Sequence, residues 1–245
     1  MASHAGPNAV EDGLILALDA GNTKSYPGSG TTWTDLSGNG NNGTLVNGVG
    51  YNSDYGGSLS FDGTNDYVTI DPQNSTTNGL YFGGATSISV SAWVKNNTDN
   101  TFNNFVMYED IANGDIVEPI RLSTRGHDGS NIAAFDIQLS GGSVTWARSS
   151  TILNTSDWYY LTGTYGDGYV KIYVNGVFEN QTLLSGAIET PQSGINAAWN
   201  IGSGELTQSS RYLNGNIAQV SIYNKALTAS EVSQNFNALK GRYGY

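Results

Sequence analysis

The acidic residues of YEDIANGDIVE, Glu109, Asp110, Asp115 and Glu118, are the densest set of groups in this chain that could move protons. Hydrolysis of a glycosidic bond needs two flanking carboxylates, about 5–5.5 Å apart for retention, and a strand supplies such a pair most directly from alternate residues. No E-x-D-x-x-E or E-x-D-x-E run occurs, and the four acids straddle a Gly-containing segment that reads as a solvated loop. Elimination from a uronate needs Arg with Gln or Asn to neutralise the carboxylate, and Tyr or His to take the proton. Arg121 and Gln138 occupy polar positions of two neighbouring candidate strands, opposite Ile120, Leu122, Ile137 and Leu139, but His4 and His127 fall outside any strand-like segment. Cysteine is absent, which removes thiolate nucleophiles, thiolate metal sites and disulfides. Gly38 to Gly43 lacks the Lys and the following helix of a phosphate loop.

Binding chemistry is better supplied than catalysis. Sugar rings are held by aromatic faces and a few planar polar side chains, and the chain has 15 Tyr among many Asn and Gln. Tyr108, Arg121, Asp136 and Gln138 are the candidate ligand-binding residues on the open sheet, whereas Trp93, Trp158 and Trp199 lie in strand-like runs and read as core. Tyr is also a favoured strand residue, so each Tyr has a purely structural reading as well. For a metal, only oxygen chemistry remains, which means calcium held in loops. Its candidate ligands are Asp19, Asn22, Asp35 and Asn39, with Asp62 and Asp66 as a further pair. The alternative is that each Asp or Asn closes its own turn on nearby backbone.

Positioning falls to strands. Ile88, Val90, Ala92 and Val94 alternate with Ser89, Ser91, Trp93 and Lys95, the period of a half-buried strand, and the alternation returns in residues 158–174 and 213–223. Further strands are expected at 14–18, 105–108, 117–123, 133–139 and 143–147, with hairpin turns at Gly141-Gly142 and Asn175-Gly176. Residues 19–55 are too long for a structureless connection, and Trp33, Leu36 and Leu45 are expected to pin them as an ordered loop with short strands. One helix is expected over Ala229 to Leu239, opened by a Thr228/Glu231 capping box, with Val232, Phe236 and Leu239 docking on the sandwich. The 245 residues divide into an N-terminal arm, 1–12, and one domain, 13–245.

The formal net charge of −11, without a cluster of Lys or Arg, excludes nucleic acid as a partner and disfavours anionic membranes. Apolar runs such as Leu14 to Leu18 fall far short of the roughly 20 residues that span a bilayer. The start, MASHAGPNAVEDG, lacks the basic and apolar segments of a secretory signal, so either a signal has been removed or the protein leaves its cell by another route, such as virus assembly and lysis.

Four ordered motifs carry a resemblance: FDGTNDYV, SVSAWV, WYYLTGTY leading to KIYVNG, and GNIAQVSIYNKAL. They are similar to the laminin-G-like, concanavalin A-like jelly rolls, which implies an all-β fold of two antiparallel sheets with one short C-terminal helix. That architecture hosts lectins, adhesion modules, hydrolases and lyases alike. Many relatives hold calcium at the loop rim, so the resemblance implies structural calcium. Where many of them read G-x-I-D-E-V, however, this chain has neutral Ala218 and Gln219. The opening DAGNTKSYPGSGTTW and the closing QNFNALKGRY resemble laminin-G-like virion components of tailed phages. The resemblance implies a non-enzymatic structural or adhesion protein, virion-borne or extracellular, a capsid decoration or fibre part whose partners are glycans or virion proteins. A secreted bacterial lectin module or a polysaccharide lyase is the alternative. A homo-oligomer is compatible with the sequence.

Overall fold

Alternating apolar and polar residues build two stacked antiparallel sheets. The structure is a computed structural model and describes residues 8–70, 79–98, 102–112, 115–125, 131–142, 144–190, 197–203 and 211–245. Sheet A runs β14 (Val177–Leu183), β13 (Tyr169–Val174), β12 (Tyr159–Gly166), β7 (Ile88–Asn96), β16 (Asn214–Tyr223), β5 (Ser58–Asp62) and β4 (Gly50–Asn52). β1 (Leu14–Asp19) pairs with the second half of β16, after β5 has taken the first half. Sheet B runs β11 (Val144–Ile152), β10 (Ile132–Gln138), β9 (Asp115–Arg125), β8 (Asn104–Ala112), β15 (Ala198–Ile201), β6 (Tyr67–Ile70), β3 (Gly43–Val46) and β2 (Thr32–Trp33).

One core lies between the sheets. Ile88, Val90, Ala92 and Val94 of β7 and Leu161 of β12 meet Phe135, Ile137, Ile120, Leu122 and Trp199 from sheet B. Gly163 of β12 sits directly beneath the Phe135 ring, where any side chain would collide. The outer face of sheet A is also covered, which is why every residue of β12 is buried. The cover is α1 (Ala229–Leu239), which begins with the expected reciprocal Thr228/Glu231 capping box. Val232 packs with Val10, Tyr173, Tyr223 and Leu227, while Phe236 and Leu239 pack against Trp93, Trp158, Tyr160, Ala218 and Tyr243. Phe236 lies 5.6 Å from Trp93 in a stacked geometry. Phe236→Ala is therefore expected to destabilise by about 2–4 kcal/mol, measured as a lowered denaturant midpoint. Residues 8–12 belong to the same layer, since the Val10 N–H donates to Asn235 and Tyr223 Oη donates to the Val10 carbonyl. Among the described residues, no helix is long and apolar enough to cross a membrane.

Two local expectations need correction. Leu36 is not a pin but 40% exposed, because its N–H donates to Ala17 and the neighbouring Asp35 takes the inward position instead. Nor are Glu109, Asp110, Asp115 and Glu118 loop residues: all four lie in strands. The β8–β9 ladder extends to Ala112 and Asp115, and Glu109 is buried.

The free edges β11 and β14 are stapled together by Glu179, which accepts from Ser150 N at 2.7 Å and Thr151 N at 2.9 Å and from both hydroxyls. Burial alone would raise this carboxyl, but the bonds from Thr151 and Ser150 outweigh it and hold it below its ordinary value of 4.5. A depressed folded-state value means that this stabilisation is complete above about pH 4.5 and is lost as pH falls through the folded value. Glu179→Gln is expected to flatten the acid limb of stability against pH while leaving its slope at neutral pH unchanged, as read from urea midpoints.

Candidate ligand-binding site

Register places one polar row across the outer face of sheet B: Trp146, Asp136, Arg121, Met107, Asn200, Thr69 and Thr44, each opposite the next. A second row, Arg148, Ala134, Ser123 and Asn104, runs beside it. The rows are open at their ends and closed in their middle. Trp146 is 38% exposed and Thr44 is exposed, whereas Asn104, Ser123 and Asn200 have no exposed surface and Asp136 and Arg121 are buried.

This floor is electrically balanced. Arg121 donates from Nε and Nη2 to Asp136 Oδ2 at 2.9 and 2.5 Å, and from Nη1 to Glu118 Oε2 at 2.6 Å. Arg211 approaches the other Glu118 oxygen at 3.5 Å. The Phe102 ring is shared by both guanidinium groups, at 4.9 and 5.0 Å. Glu109 accepts from Asn200 Nδ2 at 2.5 Å. Tyr67 and Tyr212 stand 6.5 Å apart, and burial, Tyr67 and Glu109 together push the Tyr212 phenol up, so it stays a hydrogen-bond donor. Between these groups, Asn104 Oδ1 and Nδ2, Asn200 Oδ1 and Ser123 Oγ have no hydrogen-bond partner among the described residues. These atoms lie beneath the surface, so the groups that the floor presents to a ligand are the partly exposed side chains around them, Trp146, Phe102, Tyr67 and Tyr212.

Of the residues expected from sequence to bind ligand, Arg121 and Asp136 form the central pair of this floor. Gln138 follows two positions along β10, half-buried at the strand end, where its carbonyl accepts from Glu189. Tyr108 does not join them. It is in register with Ile120, and its fully buried ring stacks on Trp199 at 5.1 Å inside the core. A bulge between Asn104 and Val106 turns both Phe105 and Val106 inward, which breaks the alternation from which the facing of β8 is read. Glu109, Asn200, Phe102, Arg211 and Tyr212 were not legible from sequence, because their proximity depends on β15 slotting beside β8.

The loop oxygens have partners of their own. Both Asp19 carboxylate oxygens accept from Arg242 Nη1, at 3.0 and 2.9 Å. Asn22 Oδ1 accepts from Lys24 N. Asp35 accepts from Ala17 N, Ser37 N, Ser37 Oγ and Asn41 N at 2.7–3.0 Å. Asn39 uses its Nδ2 toward Ile15 O and Ser37 Oγ. Asp62 caps Thr64, and burial followed by the charge of Asp62 raises Asp66. Among the described residues, no group of three or more His, Asp or Glu converges. His4, His127 and the side chains of Asp110 and Asp115 lie outside the described residues.

A family model described as Concanavalin A-like lectin/glucanases superfamily matches residues 62–233. No curated protein is significantly similar to the chain. Among solved structures, domain 4 of AbnA, an extracellular GH43 arabinanase from Geobacillus stearothermophilus in complex with arabinotriose, superposes with a TM-score of 0.63 at 21% identity, covering 91% of this chain and 98% of that one. The binding domain of Paraclostridial Mosquitocidal Protein 1 gives 0.66 at 16% identity over 93% of this chain. Trypanosoma rangeli sialidase with 2,3-difluorosialic acid gives 0.66 at 14% over 95%. The chain spans 52% of the length of the toxin binding domain and 34% of the sialidase. These likenesses establish the jelly-roll fold.

Proposed function

Because the chain belongs to the concanavalin A-like lectin/glucanases superfamily, we propose that it is a non-catalytic glycan-binding module whose site is the polar floor of sheet B. The observation that carries this reading is the set of partly exposed aromatic rings, Trp146, Phe102 and Tyr212, bordering a floor of polar side chains. Arg121 is engaged by Asp136 and Glu118, so the site favours neutral glycans over uronates or sialic acids. The arabinotriose complex of a similarly sized relative supports the same ligand class. The engagement of Arg121 also weighs against the lyase alternative, which needs a cation for the substrate carboxylate.

The test is a glycan array followed by titration calorimetry on the full chain, with Trp146→Ala as the variant. The change removes an exposed ring at the end of the row, so stability should change little while affinity falls tenfold or more. Retention of full affinity in that variant, or no glycan bound at all, would overturn the reading.

The opening and closing segments, through their resemblance to tailed-phage virion components, support a virion-borne adhesion role over a secreted bacterial lectin. Capsid and tail genes flanking the coding gene are the expected finding. Calcium at Asp19, Asn22, Asp35 and Asn39 is a further proposal, supported by the oxygen-rich loops. The ion has to displace Arg242 from Asp19 and backbone donors from Asp35. It predicts a melting temperature lowered by chelator, with the difference abolished in Asp35→Ala; superimposable curves assign these residues to turns alone.

A further inference from the structure

On the helix-covered side of the sandwich, away from the polar floor, lies a cavity of about 270 Å³ lined by Tyr55, Ser156, Asp157, Trp158, Tyr243 and Tyr245. Tyr55 and Tyr245, 49% and 47% exposed, stand at its mouth, while Trp158 and Tyr243 are buried. Each wall is fixed by its own bonds. Tyr245 Oη donates to the Trp158 carbonyl at 2.6 Å and accepts from Asn175 Nδ2 at 3.1 Å. Asn154 accepts from the Ser156 and Asp157 N–H groups and donates to Asp157 Oδ2 at 2.7 Å, which leaves Asp157 Oδ1 for a ligand.

Tyr55 is the most telling wall. Its φ of 54° lies in the left-handed region, in a run continued by Gly56 at 83° and Gly57 at 122°. A bulky aromatic residue is rare there, and the strain persists only where surrounding structure holds it. The hold comes from Arg242, whose Nε donates to the Tyr55 carbonyl at 3.4 Å, and the outcome is a half-exposed ring set edge-on to Trp158 at 6.0 Å. Glycine would suit this backbone better, so what the position gains from tyrosine is its ring.

The lining selects a chemical class. Trp158 Nε1 and Tyr243 Oη are buried behind the lining, so the polar groups that the cavity offers are those of exposed Ser156 and Asp157. The faces of Tyr243 are already used, one stacked on Trp93 at 4.0 Å and one approached by Arg242 at 5.4 Å, so this is no cage for a cation. Exposed aromatic rings beside a carboxylate and a serine oxygen that can accept fit a ring that is apolar on its face and hydroxylated at its edge. We propose that this cavity is a second saccharide site, sized for one neutral sugar ring, independent of the polar floor on sheet B. With sites on opposite faces, one module bridges two glycan chains, and a multivalent surface gains avidity from both.

The test is two-dimensional NMR on the full chain, titrated with a panel of neutral monosaccharides and with tetramethylammonium chloride. Saturable sugar-dependent shifts are expected for the Trp158 indole N–H and the amides of Asp157 and Gly244. Tyr55→Gly, which relieves the left-handed backbone, and Asp157→Asn should each weaken this binding about tenfold, the loss of one aromatic contact or one charge-assisted hydrogen bond. Trp146→Ala should leave these shifts intact, which separates this site from the floor of sheet B. The proposal is overturned if no sugar moves these signals, if only tetramethylammonium does, or if Trp146→Ala abolishes the shifts while Tyr55→Gly does not.

Discussion

Arg121→Met is expected to destabilise the protein by about 3–5 kcal/mol, among the largest single losses outside the apolar core. The guanidinium is the shared partner of Asp136, 1% exposed, and Glu118, so its removal strands carboxylates in a poorly solvated floor. A buried pair is weak evidence of net stabilisation, because desolvation offsets most of its attraction, but half a pair is far worse than none. Asp136→Asn in the Arg121→Met background should therefore recover part of the loss, and urea midpoints of the four proteins in this cycle measure the coupling. A loss under about 1 kcal/mol would mean that water reaches the pair and that the floor behaves as surface. The same cost makes exposed Trp146, and not Arg121, the position at which a variant reports on ligand binding. A variant that unfolds says nothing about sugars.

Gly163→Ala is expected to cost about 3 kcal/mol or more, although it adds only a methyl group to a strand that otherwise favours larger residues. Its Cβ would lie 2.0 Å from Phe135 Cγ and 2.2 Å from Cδ2, separations that the two sheets cannot accommodate without moving apart. The glycine φ is not at issue here; the sheet-to-sheet distance is. Phe135→Leu should be destabilising alone, yet the double variant Gly163→Ala/Phe135→Leu should be less destabilised than the sum of the two, as read from melting temperatures and denaturant midpoints. An additive result would show that the ring swings away at little cost and that the contact is not what fixes the spacing.

Legibility followed the range over which each property is decided. β7, β12, β13 and β16 were readable because side chains two apart share a face; β7 is buried on both faces and not half-buried as expected, but the face toward the inter-sheet core takes apolar residues while the face under α1 carries Ser, Thr and aromatic ones, which keeps the alternation. α1 was readable to its ends, because its cap is a reciprocal bond between Thr228 and Glu231, three residues apart. The Asn175-Gly176 turn was readable for the same reason, since both residues adopt positive φ, 51° and 78°, and few residue types do so readily.

The sites were less legible. Arg121 and Asp136 were found as polar positions on adjacent strands, but their pairing, and the presence of Glu109 and Asn200 in the same floor, required the order β10-β9-β8-β15, which joins segments far apart in the chain. Tyr108 went to the core because a one-residue bulge in β8 shifted the facing that alternation predicts. Tyr55, Trp158 and Tyr245 meet only because the C-terminal turn after α1 folds back over sheet A. By itself, then, the sequence determined the regularly alternating strands, the Asn175-Gly176 turn, the helix and its cap, and an acidic, cysteine-free composition. The tertiary structure alone decided which polar groups share a floor, which aromatic rings share a cavity and which are core. Period and capping are settled within a few residues, whereas strand order and sheet spacing are settled by packing two whole faces against each other.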